Sequence, residues 1–271
     1  MVWSGSRIGA VLAVALLFGA ATPARAAEDA KLKAAIASPA RQAVHSVRDA
    51  YRHPYETLTF FGLRDTMVVV EIAPGTGWWT EILAPYLRQN GKYYAAIPAP
   101  RADYQRDRLS ALQKMINDDP TRYDRVINSQ FDSDKFEIAP AGTADMVLTF
   151  RNLHNWIVDG TADGAMRAFY KALKPGGILG IEDHRADPAK PEAVMEKAGY
   201  VREDKIIAIA QKAGFVLAGK SEINANPKDT KDYPEGVWTL PPTYRLKDVD
   251  RAKYQAIGES DRATLSFVKP R

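Results

Sequence analysis

The chain has 271 residues, 37 Lys+Arg against 33 Asp+Glu, and 46% hydrophobic residues, a balance that excludes a disordered chain, a collagen-like chain and a coiled coil. It contains no Cys, which removes disulfides, thiolate metal sites and cysteine nucleophiles. A net charge of +4 without a clustered basic face argues against a nucleic-acid partner.

The first 26 residues read as a leader. Arg7 precedes a 14-residue apolar run, Ile8 to Ala21, shorter than the ~20 residues that span a bilayer. Pro23 follows, and Ala24-Arg25-Ala26 supplies small residues for cleavage after Ala26. The expectation is an exported, periplasmic protein with no membrane anchor after cleavage. The remaining 27–271 form one domain of net charge +2.

Residues 28–52 read as one or two helices, with Ser38-Pro39 as a restart signal. Met67 to Ile72 is a β-branched run, the mark of a strand buried on both faces. The turn Ala73-Pro74-Gly75-Thr76-Gly77 leads into a helix that carries Pro85 and closes at Asn90-Gly91. The alternation continues with a strand at Tyr93–Ile97, an exposed helix at Tyr104–Asn117, and strands at Arg125–Ser129 and Asp145–Phe150. A helix at Thr161–Leu173 stops at Lys174-Pro175-Gly176-Gly177, and a strand follows at Ile178–Glu182. Then come a helix at Glu203–Ala213 and strands at Phe215–Lys220 and Ala263–Lys269. Between these last two, residues 224–262 hold four prolines and little periodicity, which suits a lid or an ordered surface excursion. The pattern predicts a doubly wound, mostly parallel α/β sheet with helices on both faces, finished by an antiparallel strand.

In such a sheet, ligands bind beyond the carboxyl ends of the strands. The glycines of the first turn let backbone approach a ligand, and the following helix presents its N-terminus to an anion. Thr80 stands where a dinucleotide fingerprint needs its third glycine, and Trp78-Trp79 replaces the Gly-Lys of a phosphate loop. A nicotinamide oxidoreductase is disfavoured on that ground and by the C-terminal hairpin. An acid ahead of the glycines suits a cationic ligand such as S-adenosylmethionine, whose ammonium Glu71 could serve.

Several segments carry a resemblance. They are Arg52-His53-Pro54, the turn Glu71 to Gly77 with Trp78-Trp79, and Asn152-Leu153-His154-Asn155-Trp156. Lys174-Pro175-Gly176-Gly177 and Gly258-Glu259-Ser260-Asp261-Arg262 complete the set. Over roughly residues 45–271 the chain resembles the class I S-adenosylmethionine-dependent methyltransferases. It is most similar to a family of predicted bacterial methyltransferases with signal peptides. The resemblance implies a Rossmann-like seven-stranded sheet whose last strand is antiparallel. It implies that Glu71, Ala73, Gly75 and Gly77 line the cofactor pocket, with Asp132 at the adenine end. Arg151 and Asn152 would lie near the methionine part and the substrate. Two departures stand out. Ala73 replaces the first glycine of the turn, and the second strand ends Ala95-Ala96-Ile97-Pro98 without an acid for the ribose, leaving Asp103 as a substitute.

Methyl transfer needs alignment, and a base if the nucleophile carries a proton. His154 and His184, after the fourth and fifth strands, are the candidate bases, with Asp183 placed to orient His184. No two of the four histidines stand at i, i+4, so no zinc site of the H-E-x-x-H kind is expected, and no metal. The expectation is a methyltransferase acting on a small-molecule acceptor. The alternative is a non-catalytic methyltransferase-like protein of the cell envelope, since the cofactor is made in the cytoplasm.

Overall fold

The computed structural model describes Met1, residues 28–132 and residues 136–271. The leader expected at 1–26 lies outside the described residues, Met1 aside. No helix among the described residues is long and apolar enough to cross a membrane.

The helical preface is four short pieces: α1 (Ala30–Ile36), α2 (Ala43–Ser46), α3 (Asp49–Arg52) and α4 (Pro54–Phe60). Asp29 caps α1 by accepting from the Leu32 N–H. Ser38-Pro39 lies in a turn and starts no helix, contrary to the sequence reading. The segment is held instead by ion pairs that no periodicity encodes. Arg41 grips Asp49 with two bonds, 2.6 and 2.9 Å, and the buried Glu81 stands 3.2 Å from His45 Nδ1.

The sheet begins with β1 (Val68–Ile72), followed by α5 (Thr80–Leu87), β2 (Lys92–Ile97), α6 (Asp103–Asp118) and α7 (Pro120–Tyr123). Next are β3 (Val126–Phe131), the two-residue β4 (Phe136–Glu137), β5 (Ala144–Phe150), α8 (Leu153–Val158) and α9 (Ala162–Ala172). The chain finishes with β6 (Leu173–His184), α10 (Glu192–Lys197), α11 (Glu203–Lys212), β7 (Val216–Ser221), α12 (Arg251–Ile257) and β8 (Arg262–Val268). The strand order is β4-β3-β2-β1-β5-β6-β8-β7. The pairs β1–β2, β1–β5, β2–β3 and β5–β6 are parallel. β8 inserts between β6 and β7, antiparallel to both.

The expected sheet had seven strands, and the eighth is β4, an antiparallel edge piece too short to leave a pattern. The Lys174–Gly177 segment, read as a stop before the strand, is already within β6: Gly176 N–H donates to Lys269 O, and Lys269 N–H to Gly177 O. β1 is central and its residues from 69 to 72 are buried, as its β-branched run predicts. One apolar layer packs α9 and α11 against the sheet through Phe169, Met166, Ile206 and Phe267. The other packs α1, α4 and α5 through Leu32, Leu58, Ile82 and Leu83. Pro85 inside α5 cannot donate to the Glu81 carbonyl, and Arg122 Nη2 donates there instead at 2.9 Å.

The excursion 224–262 is ordered. Asn224 Nδ2 donates to Thr57 Oγ1 and Thr264 Oγ1, each at 3.0 Å. Buried Asp229 accepts from Tyr200 Oη at 3.1 Å and from Asp261 N–H at 2.8 Å. Trp238 packs in a small apolar cluster with Met195, Tyr200 and Val237, and Arg245 lies over its ring. Of the two sequence alternatives, lid or ordered excursion, these bonds fit the second.

Candidate functional site

A cavity of about 400 Å³ opens at the carboxyl ends of β1, β2, β3 and β5. Its floor is Ala73, Pro74 and Gly75 from the first turn. Its walls are Pro98 to Arg101 after β2, Asp132 after β3, and Asn152, Asn155 and Trp156 around α8. One face of α6 closes it with Tyr104, Gln105, Arg108 and Leu112. Sequence reading placed α6 on the surface as a solvated helix. Its lining residues are interrupted by charged ones, so only the packing shows which face meets the cavity.

The turn works through left-handed backbone. Ala73, Gly75 and Gly77 have φ of 51°, 64° and 93°. A Cβ on Gly75 would meet nothing within 4 Å, so its space is open towards ligand. A Cβ on Gly77 would stand 2.7 Å from Met115 Cε and 3.0 Å from Leu112 Cδ1. Gly77 is therefore a packing glycine between the turn and α6, and is not among the cavity-lining residues. Ala73 takes the left-handed conformation with a side chain, at a cost of about 1–2 kcal/mol.

Glu71 does not line the cavity. It is 2% exposed, and its carboxylate accepts from Tyr93 Oη at 2.5 Å and Thr80 Oγ1 at 3.1 Å on the α5 side of the sheet. Burial pushes its pKa up to about 7 against the pull of those two hydroxyls. The sequence reading had Glu71 serve the cofactor ammonium; the structure places its side chain off the cavity lining, since neighbouring strand residues point to opposite faces and both faces of β1 are buried. Asp103 is also corrected. It is exposed and paired with Arg106, so it does not supply the acid missing after β2. Asp132 is at the cavity as expected, with Arg101 Nη2 2.8 Å from its Oδ1. Asn152 Nδ2 donates to the Ile72 carbonyl at 3.2 Å, which ties the end of β5 to the end of β1.

Trp78 and Trp79 are both buried, and Trp79 stacks on Phe150 with centroids 4.1 Å apart. They pack the turn onto the sheet. Above the turn, His45 Nε2 is 3.3 Å from Thr76 Oγ1, and Trp78 Nε1 donates to the His45 carbonyl at 2.7 Å. The N-terminal helices thus roof the glycine turn, a contact the sequence did not signal.

The two candidate bases lie beside the cavity, outside its lining. His154 Nδ1–H donates to Asp183 Oδ1 at 2.8 Å, and the His154 backbone N–H donates to Oδ2 at 3.1 Å. Asp183 also accepts the His184 N–H at 2.7 Å. Sequence reading paired Asp183 with the ring of His184. The structure gives that carboxylate to the His154 ring, and His184 Nδ1 lies 2.5 Å from Ser260 Oγ. The rings of His154 and His184 are 5.0 Å apart, and Trp238 stands 6.2 Å from His154. Burial, with His154, Arg151 and Arg262 nearby, holds the His184 pKa well below the ordinary imidazole value. His154, Asp183 and His184 have the spacing of a metal-ligand group. The chemistry favours another role, because Asp183 already accepts three N–H bonds and the flanking charges are guanidiniums. A carboxylate holding imidazole Nδ1–H leaves Nε2 as the basic nitrogen.

Arg151 has φ of 60° and donates its N–H to the Glu182 carbonyl at 2.7 Å. Its side chain is half-buried and turned from the cavity towards Glu259, at 3.6 Å. It directly precedes Asn152 of the cavity wall and is in range of His184.

Comparison with known proteins fits this geometry. A family model described as a methyltransferase domain matches residues 44–218. No curated protein matches the chain in sequence. Among solved structures, the [4+2]-cyclase SpnF is similar with a TM-score of 0.54 and 17% identity, over 82% of this chain and 81% of that one. CrArsM, an arsenic(III) S-adenosylmethionine methyltransferase of Chlamydomonas reinhardtii, gives 0.52 and 13%, over 89% and 73%. Phosphoethanolamine N-methyltransferase 2 of Haemonchus contortus gives 0.52 and 18%, over 82% and 53%. At these identities the likeness carries the fold alone.

Proposed function

The chain belongs to the methyltransferase-domain family, with S-adenosylmethionine as the cofactor that membership implies, and on that premise we propose that it transfers the cofactor's methyl group to a small-molecule acceptor. The observation that carries this reading is the 400 Å³ cavity at the strand ends, floored by left-handed Ala73 and Gly75. Backbone without side chain at Gly75 lets the methionine part approach. Asn152 lines the same cavity, and Asp132, also on its lining, would serve the adenine end. The cofactor supplies a reactive sulfonium, and the chain supplies alignment and a proton acceptor.

S-adenosylmethionine, held by Ala73, Gly75 and Asn152, would supply an activated methyl group to a nucleophilic atom of the acceptor and leave as S-adenosylhomocysteine. The proton lost by the acceptor goes to His154 Nε2, with the imidazolium stabilised by Asp183. His184, kept neutral, stands behind it with its ring 5.0 Å from that of His154. The protein works outside the cytoplasm once the leader is removed after Ala26. Intact mass of the secreted chain tests that: loss of residues 1–26 supports it, and a full-length mass removes it.

The direct test is calorimetric titration with S-adenosylmethionine and S-adenosylhomocysteine. Micromolar affinity is expected. No heat at millimolar ligand would transfer the reading to a non-catalytic envelope protein, which the absent acid after β2 and the Ala73 substitution favour.

A further inference from the structure

Beside the cavity, four guanidiniums share two carboxylates. Arg48 Nε lies 2.7 Å from Glu259 Oε1, and Arg52 Nε lies 3.1 Å from Oε2. Arg262 Nη1 is 2.8 Å from Glu259 Oε2, and its Nε is 3.0 Å from Glu182 Oε1. Arg151 Nη1 approaches Glu259 at 3.6 Å. These residues come from α3, the end of β5, the end of β6 and the segment entering β8. The group carries an excess of two positive charges. Arg52 is 1% exposed and its Nη2 has no hydrogen-bond partner, and Arg48 Nη2 is likewise buried and unpartnered. Desolvation by burial, and then the charges of Arg151, Arg48 and Arg262, lower the Arg52 pKa well below its ordinary value. Burying guanidiniums in excess of their carboxylates is costly, and a bound anion would offset that cost.

We propose that Arg48, Arg52 and Arg151 bind the acidic group, a carboxylate or phosphate, of the methyl acceptor. The proposal rests on the methyltransferase reading and names the acceptor's chemical class. Position supports it. Arg151 directly precedes Asn152 of the cavity wall, and its charge acts on His184, whose ring lies 5.0 Å from that of His154. Partial exposure supports it too: the Arg48 and Arg151 side chains keep 18% and 24% of their surface, with the unpartnered nitrogens of Arg48 and Arg52 beneath. Arginine suits the task because its planar donors match carboxylate and phosphate. The acid is an anchor and not the methylated atom, since guanidinium pairing withdraws its electron density. The methyl group goes to another atom of the same molecule, on the histidine side.

The test uses the purified chain with inorganic phosphate as probe, and S-adenosylhomocysteine in parallel. Saturable phosphate binding is expected. Arg48→Gln and Arg151→Gln should each weaken it about tenfold or more, while S-adenosylhomocysteine affinity stays within about twofold. Arg48→Lys should recover part of the loss. Thermal unfolding reports whether each variant folds, and the more exposed Arg151→Gln carries the test alone if Arg48→Gln does not. Absence of phosphate binding, or binding unchanged in the folded variants, overturns the proposal. So does competition between phosphate and S-adenosylhomocysteine with parallel loss of both, because the arginines would then serve the cofactor's own carboxylate. Failure of S-adenosylhomocysteine to bind wild type would instead strike the methyltransferase reading.

Discussion

Asp183 holds both the ring and the backbone of His154, its Oδ1 at 2.8 Å from Nδ1 and its Oδ2 at 3.1 Å from the amide nitrogen. The pair fixes the imidazole tautomer inside a buried wall. If His154 takes the acceptor's proton, His154→Ala should lower kcat about 100-fold, the usual weight of general-base catalysis. S-adenosylhomocysteine affinity should not change. Asp183→Asn should lower kcat by a similar factor by freeing the wrong tautomer. Full turnover in both variants would make the pair structural.

Gly75→Val should abolish cofactor binding without unfolding the chain. A Cβ there meets no protein atom within 4 Å, so the valine branches enter the ligand's space. The left-handed φ of 64° adds about 1–2 kcal/mol of strain. Calorimetry and a melting curve separate the two effects, and retained affinity would exclude the turn from the pocket.

Ala73→Gly should stabilise the fold slightly. The alanine sits at φ 51°, where glycine has no Cβ penalty. Relief of about 1–2 kcal/mol outweighs the entropy glycine adds to the unfolded chain, leaving a gain of about 0.5–1 kcal/mol. Urea unfolding measures it, and a loss of stability would contradict the strain assignment.

Glu71 makes stability fall as pH rises. Its folded pKa is raised from 4.5 to about 7, so the native state holds a proton that the unfolded state has released. Its share of stability is full below about pH 4.5 and is lost as pH climbs through 7, by at most about 3 kcal/mol. Glu71→Gln should flatten that part of the pH–stability curve. An unchanged slope between pH 5 and 8 (roughly the window set by the two pKa values) would show that Glu71 is ionised throughout.

Glu259 acts with the opposite sign. Its carboxyl is held far below the ordinary range by Arg52, Arg151, Arg262 and Arg48, which outweigh burial. Its contribution is present above the unfolded pKa and is lost only as strong acid titrates the folded group. Glu259→Gln leaves buried guanidiniums uncompensated and should cost about 3–5 kcal/mol. A change below about 1 kcal/mol in chemical unfolding would mean that the arginines are solvated.

Much of the architecture was legible because local chemistry repeats it. The β-branched run at Val68–Val70, the glycine turn and the apolar face of α9 each announce their element through spacing alone. β4 was not legible, because two residues make no period. The excursion 224–262 lacked periodicity because its order comes from single long-range bonds, such as Asn224 to Thr57 and Thr264. At the site, Ala73, Gly75, Asp132 and Asn152 were found in sequence and meet at the cavity. Tyr104, Arg108 and Trp156 were missed as lining residues.

By itself the sequence determined the alternation of strand and helix, the glycine turn after the first strand and the closing antiparallel strand. Each follows from side-chain size and backbone freedom over a few neighbouring residues. Only the tertiary structure decided that Glu71 faces Tyr93, that Asp183 serves His154, and that Arg48 and Arg52 meet Glu259 from more than 200 positions away. Burial on both faces of β1 erases the alternation that would reveal direction, and ion pairing depends on distance in space, which the order of residues along the chain does not contain.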